Sequence, residues 1–353
     1  MINGEIKYGL HLSMFLWLCG EGVRMMETAI VSALALAIEA MIGYPRWLQR
    51  WFGHPVQGFG WLIAWLERHL NIETAAARIR RLSGCLALVL LVAVAWLIGL
   101  GLNHLTFVLL SFLPTLLLRG VIASMLLAQR SLYEHVNAVG IAAERGGISA
   151  ARHAVSLIVG RNPQSLDEAG VIRAAIESLA ENFSDGVVAP AFWCLLLGLP
   201  GLLVYKAVNT ADSMIGHRTA RYEAYGWASA RFDDLLNLPA SRLAALWLIL
   251  AAVVTKGADA ATALRSVLRD APLHRSPNAG WPEAAMAGGL GLRLGGARVY
   301  GRDRIEDAWM GEGSPFATSS DLSRSLLLYC RACLLQFLAV LLCLAGLAIM
   351  ASA

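Results

Sequence analysis

Residues 84–102 read GCLALVLLVAVAWLIGLGL, nineteen positions without a charge. At 1.5 Å per residue a helix of that length is about 28 Å long, enough to cross a hydrocarbon core of roughly 30 Å. Residues 332–350, ACLLQFLAVLLCLAGLAIM, form a second such run. The whole 353-residue chain is 57% apolar and 15% charged, whereas soluble domains carry roughly 25% charged residues. That balance excludes an ordinary soluble domain and predicts an integral membrane protein.

Four further segments are weaker. Residues 28–43 are apolar except for Glu39, residues 104–118 are short and hold Pro114, and residues 243–255 are marginal in length. Residues 187–204 are interrupted by Pro190, Gly198, Pro200 and Gly201, which predicts a broken or re-entrant segment buried by protein. The expectation is an all-α polytopic protein with about four or five transmembrane helices. Polar stretches between the spans are too long for turns. Residues 124–144 and 164–183 read as amphipathic helices, with Asn162-Pro163 starting the second. Residues 276–301 read as a Gly/Pro-rich structured loop.

The N-terminal 26 residues have one Lys and no small-residue cleavage site, unlike a secretory signal. Met25 and Met26 are alternative starts, with residues 1–24 an irregular extension and residues 25–353 one membrane domain. Six cysteines include a lone C-x-x-C, Cys330 and Cys333, at the mouth of an apolar run; they read as small helix residues, not a zinc or redox centre. Arg residues crowd the loops after the first span, between 119 and 173, and from 256 to 304. The positive-inside rule puts these regions in the cytoplasm. The net charge of +4 follows from topology, and no nucleic-acid partner is implied.

Chemistry concentrates in residues 161–237. Glu177, Glu181 and Asp185 recur every fourth position, one helical face of like charge beside an apolar segment. Around them lie Arg161, Arg173, Asn182, Lys206, Asn209, Asp212, Arg231, Asp233, Asp234 and Asn237. Carboxylates and amides interleaved with cations suit a Mg²⁺–phosphate site, and ionisable groups near bilayer depth point to function. Interfacial charges pairing with one another would give the same composition. There is no G-x-x-x-x-G-K-[ST]; GGLGLRLGG at 288–296 lacks the preceding strand of a dinucleotide fold. His54 and His217 stand in dense polar or glycine contexts and read as structural.

Four long blocks carry a family resemblance: HPVQGFGWLIAWLE from 54, GRNPQSLDEAGVIRAAIESLAENFSDGVVAP from 160, YKAVNTADSMIGHRTARYEAYGWASARFDDLLNLPASRL from 205, and SPNAGWPEAAMAGGLGLRLGG from 276. In this order they resemble the CobD/CbiB family, membrane-bound adenosylcobinamide-phosphate synthases of cobalamin biosynthesis. The family's Gly-Asp-Pro is Gly43-Tyr44-Pro45 here, which removes one carboxylate, and His217 stands where an aromatic is usual.

The resemblance implies a carbon–nitrogen ligase. It would join aminopropanol or its O-phosphate to a propionate carboxyl of adenosylcobyric acid, through an acyl phosphate made with ATP and Mg²⁺. The expected location is the inner membrane, with the site at the cytoplasmic lip of the broken segment and other membrane-associated cobalamin-assembly enzymes as possible partners. The expected roles are Glu181, Asn182 and Asp185 for the metal; Lys206, Glu177, Arg231 and Asp212 for catalysis; and Arg161, Arg173, Asn209, Asp234 and Asn237 for cofactor binding. Trp193, Tyr205, Tyr222 and Trp227 are candidates to cover the corrinoid or to form an interfacial belt. A cation-coupled transporter is the competing reading, but it calls for two halves with matching interruptions, and one is visible.

Overall fold

The computed structural model describes residues 2–45, 50–51, 53–160, 163–296, 298–300, 303–305 and 308–352. Among these are eleven α-helices: α1 Ile2–Ile42, α2 Pro55–Leu70, α3 Ala77–Leu109, α4 Phe112–Ser124, α5 Gln129–Ser156, α6 Glu168–Phe183, α7 Ala189–Ile215, α8 Trp227–Val253, α9 Ala260–Asp270, α10 Gly280–Leu290 and α11 Ser319–Ser352. Four short strands, β1 Leu294–Gly295, β2 Arg298–Tyr300, β3 Asp303–Ile305 and β4 Trp309–Met310, pair antiparallel as β1–β4 and β2–β3. The fold is all-α, as the composition predicts. Two expectations change in detail: α1 extends back to Ile2, and the stretch read as a loop over 276–301 contains the buried helix α10.

Among the described residues six stretches are long and apolar enough to cross a membrane: Gly22–Ile42, Ala77–Leu109, Phe112–Ser156, Glu168–Ile215, Trp227–Val253 and Ser319–Ser352. The sequence alone suggests about four or five. The difference lies partly in α8, where only residues 243–255 look apolar. Its first half is polar, yet Asp233 and Asn237 are buried against neighbouring helices, so protein rather than lipid covers them. Glu39, the charge that interrupts α1, is also accounted for. Its carboxylate accepts the Arg130 backbone N–H at 3.0 and 2.8 Å, capping α5 from another helix.

The interrupted segment is a hairpin. Gly198 has φ +66° and ψ −153°, with Pro200 just beyond it. A Cβ on Gly201 would lie 2.7 Å from the carbonyl oxygen of Trp193, eight residues back, where a straight helix would separate them by about 12 Å. The arms before and after Gly198 therefore run antiparallel. The tip seats on α3, since a Cβ on Gly99 would lie 2.4 Å from the Cα of Pro200. It is also pinned by Thr28 Oγ1, which donates to the Leu195 carbonyl at 2.7 Å. Gly99 is twenty-two positions beyond Ala77, the first residue of α3, so the tip reaches about 33 Å from that end.

Charges mark the two ends of the bundle. At the start of α3, Arg80 bonds the Arg221 carbonyl, and Arg221 pairs with Glu67 at 2.9 Å. At the tip end, Arg119 pairs with Glu27 at 3.3 Å and donates to the Asn103 carbonyl at 2.7 Å. Arg119 thus lies at the end opposite the other arginines with which the sequence groups it. The regions 146–183 and 257–323 do share one end: Arg173 bonds the Pro315 carbonyl, and Glu177 accepts the Gly295 N–H at 2.9 Å.

Candidate functional site

The polar residues of α6, α7 and α8 meet where the hairpin's return arm passes the start of its outward arm. Residues Ser184–Val188 form a π-helical turn, a feature that often marks functional positions. Asp185 sits on it. Tyr205 Oη donates to the Asp185 carbonyl at 2.9 Å and shares a 3.0 Å hydrogen bond with Asn237 Oδ1. Asn237 Nδ2 donates to Asp233 Oδ2 at 2.9 Å, and Asn209 Nδ2 donates to Asp233 Oδ1 at 3.3 Å. Both oxygens of the buried Asp233 are thus held by amides from two helices.

Lys206 is the cation of this cluster. Its ammonium acts on Asp185 and Asp233, and Asp185 also interacts with Glu181. Asp212 interacts with Asp233 and Asp234. Asp234 pairs with Arg231 at 3.5 Å on an exposed edge. Lys206 lies eight positions along the return arm from Gly198, about 12 Å, and Asp185 thirteen positions along the other, about 20 Å. The cluster is set within the depth of the bundle, deeper than the lip expected for it.

Glu181, Asp185, Lys206, Asn209, Asp212, Asp234 and Asn237 come together, with Arg231 at the rim. Glu177 and Arg173 do not join them. Glu177 is buried under the Gly295 amide, and Arg173 lies on the Pro315 carbonyl with its guanidinium 5.9 Å from the Trp309 ring. Asn182 points to a neighbouring cavity, its amide on the Ser178 carbonyl at 2.9 Å. Arg161 lies outside the described residues. Of the aromatics, Tyr205 is buried and Trp193 donates to the Leu236 carbonyl at 3.1 Å. Both belong to the core. Trp227 is half-exposed beneath the Arg81 guanidinium at 5.0 Å.

Two residues matter more than their sequence context shows. In the sequence Asp233 is one acid among many; its central place depends on two amides from separate helices. His54 reads as structural, yet it faces the charge of Lys206. It caps α2: its Nδ1 accepts the Val56 N–H at 3.3 Å, and the Gln57 side chain bonds back to the His54 N–H at 3.2 Å. Burial, and then the Lys206 charge, push the imidazole below its ordinary value. A neutral ring with Nδ1 as acceptor carries its proton on Nε2. His54 therefore presents an N–H donor within the field of the Lys206 charge, and such a donor suits an anion.

Among the described residues no group of three or more His, Cys, Asp or Glu side chains makes a metal cage. Mg²⁺ bound with a nucleotide needs only one or two carboxylates beside the phosphates. Glu181 and Asp185, one turn apart, fit that demand, and the acids of the cluster outnumber its cations.

The model of the CobD/Cbib protein family matches residues 32–329, a span that contains every helix of the cluster. A "Cobalamin biosynthesis protein CobD" from Sinorhizobium sp is 49% identical over 315 residues, covering 88% of this chain and 96% of that one. Proteins of the same name from Rhizobium meliloti and Rhodobacter capsulatus are 46% and 47% identical, each covering 87% of this chain and 94% of the relative. No solved structure matches. With the match running from the first span to the last and taking in the hairpin and its acidic cluster, this chain belongs to the CobD/Cbib family.

Proposed function

We propose that the protein acts in cobalamin biosynthesis as a membrane ligase, joining aminopropanol or its O-phosphate to a propionate carboxyl of adenosylcobyric acid with ATP. The observation that carries this reading is Lys206 on the return arm of the hairpin, its charge felt by Asp185 and Asp233, in a chain of this family. A carboxylate and an amine do not condense in neutral water. They need activation of the acyl group and a pocket that holds the activated species away from solvent.

In this reading a propionate oxygen attacks the γ-phosphorus of ATP, ADP leaves, and an acyl phosphate results. The amine nitrogen then attacks the acyl carbon, inorganic phosphate leaves, and a cluster carboxylate takes the amine proton. Lys206 and the Nε2–H of His54 hold the transferring phosphoryl oxygens. Glu181 and Asp185 would hold a Mg²⁺ bound with the nucleotide, which would neutralise phosphate charge. Asn209, Asn237 and Tyr205 keep Asp233 and the π turn in place. Arg231 and Asp234 edge the entrance, and Asp212 lies between it and Asp233. Glu177 and Arg173 act in the packing of the β1–β4 loop.

Purified protein supplied with adenosylcobyric acid, aminopropanol and Mg–ATP should yield one amide and one ADP per turnover, read by mass spectrometry. Amide formation without ATP consumption would overturn the acyl-phosphate route. Ion flux into proteoliposomes without any amide would favour a transporter.

A further inference from the structure

Beside the acidic cluster, on the adjoining face of α6, is a cavity of about 430 Å³ between α5, α6 and the segment that joins them. It is lined by Ser131, His135, Ser178, Asn182 and Gly186 among apolar neighbours. Each of the four polar side chains has a donor committed to a backbone carbonyl. Ser131 Oγ donates to Ala128 at 3.3 Å, and His135 Nδ1 to Ser131 at 2.6 Å. Ser178 Oγ donates to Ile158 at 2.7 Å, and Asn182 Nδ2 to Ser178 at 2.9 Å. A carbonyl can only accept, so these partners fix which atom of each ring or amide bears hydrogen. His135 Nδ1 must carry a proton, which leaves Nε2 of the neutral ring as an acceptor. Asn182 must present Oδ1. Ser131 Oγ keeps its lone pairs, and Ser178 Oγ uses one of its own to accept the Asn182 amide at 3.2 Å.

The cavity thus presents hydrogen-bond acceptors. An apolar solute would displace water from these acceptors without replacing its hydrogen bonds, and an anion, itself an acceptor, gains nothing from them. A primary amine or ammonium, with two or three N–H donors, answers them. The volume is at the small end for ligand pockets, too small for a corrinoid and ample for a three-carbon amino alcohol. Gly186 in its wall follows Asp185 directly on the π turn, and Asn182 follows Glu181. Consecutive helical residues are about 100° apart, so the cavity and the carboxylates occupy adjoining strips of one helix.

We propose that this cavity is the subsite for the amine nucleophile, with His135 Nε2 and Asn182 Oδ1 receiving its N–H groups. The assignment rests on the ligase reading above and adds the location and orientation of the second substrate. The amine enters beside Asp185 from the α5 face, and the activated acyl group is held on the Lys206 face. This opposes an acceptor-lined strip to a donor-lined one.

The test pairs binding with turnover on the full-length protein in detergent. Calorimetric titration of aminopropanol should show saturable binding to wild type. His135→Phe and Asn182→Leu, both at exposed positions that tolerate change, should weaken it at least tenfold. Asn182→Asp, which keeps an acceptor, should stay within about threefold of wild type, a rescue that a packing role would not give. 1,2-Propanediol, with a hydroxyl in place of the amine, should bind at least tenfold more weakly than aminopropanol. In the amide assay the same variants should raise KM for the amine and leave KM for ATP unchanged. Unaltered amine binding in both His135→Phe and Asn182→Leu, with wild type making amide normally, overturns the subsite and leaves the ligase reading intact. Amine binding that follows these residues, in a protein that makes no amide, supports the subsite and overturns the ligase reading instead.

Discussion

The hydroxyl of Tyr205 donates to the carbonyl of Asp185 at 2.9 Å although twenty residues separate them in the chain. A continuous helix would hold those residues about 30 Å apart. The bond ties the two arms of the hairpin at the point where the π turn frees a carbonyl, and it carries Asn237 with it at 3.0 Å. Tyr205→Phe keeps the ring and leaves two buried acceptors short of a donor. It should lower unfolding stability by about 1–3 kcal/mol and reduce turnover by displacing Asp185. Thermal unfolding in detergent together with the amide assay reads both; full stability in the variant would show that the tie is dispensable.

Gly99 is where the hairpin tip meets α3. A β-carbon there collides with the Cα of Pro200 at 2.4 Å, backbone that has no rotamer to escape into. Gly99→Val should push the tip off α3 and cost about 1–3 kcal/mol or more as overpacking. The same change at Gly101, whose β-carbon would meet nothing within 4 Å, should be nearly neutral. Equal melting temperatures for the two variants would contradict the seated tip.

Lys206 is the cation that acts on Asp185 and Asp233. Lys206→Met should remove at least about a hundredfold of turnover, the scale of losing one preorganised charge at a transition state. Lys206→Arg should rescue poorly, because a planar fork does not replace a point charge on a flexible stem. Asp185→Asn and Glu181→Gln should also lose turnover and shift the Mg²⁺ requirement upward. Near-normal rates at low Mg²⁺ in both acid variants would remove them from metal binding.

His54 lies outside the spans, and its imidazole is pushed below the ordinary 6.5 by burial and then by Lys206. Between the lowered value and 6.5 the unfolded chain binds a proton that the folded chain refuses. Stability therefore rises with pH through that window and is fully present above it. The melting temperature should fall on acidification from about pH 7.5 to pH 5.5, and His54→Gln should flatten that slope. A slope unchanged by the substitution would place its origin elsewhere.

Ser111 lies in the turn between α3 and α4, at the hairpin-tip end, and Ser149 lies on α5 toward the opposite end. In a cysteine-free background, Ser111→Cys should be labelled from outside intact cells by an impermeant maleimide. Ser149→Cys should be labelled only after permeabilisation. The reverse pattern would invert the topology and remove the site from cytoplasmic ATP.

The sequence by itself determined that this chain spans a membrane and is helical, because residues 84–102 and 332–350 carry that information locally in length and hydropathy. It also marked the interruption at Gly198 and Pro200, because these residues break a helix wherever they fall. It drew the acids of 181–234 into one region. Tertiary structure decided the rest. A Gly-Pro break is equally compatible with a kinked crossing and a hairpin; the contacts of Gly201 with Trp193 and of Tyr205 with Asp185 select the hairpin. Glu177 shares the spacing of Glu181 and Asp185, yet it turns to the Gly295 amide, because a helical face has no preference among partners until the neighbouring chain arrives. The polar half of α8 looks too charged to be buried in a bundle; the amides of Asn209 and Asn237, with the Lys206 charge, make the burial of Asp233 tolerable. Spans and breaks are properties of consecutive residues. Which charges meet is a property of residues far apart in the chain, and desolvation settles it when the helices pack.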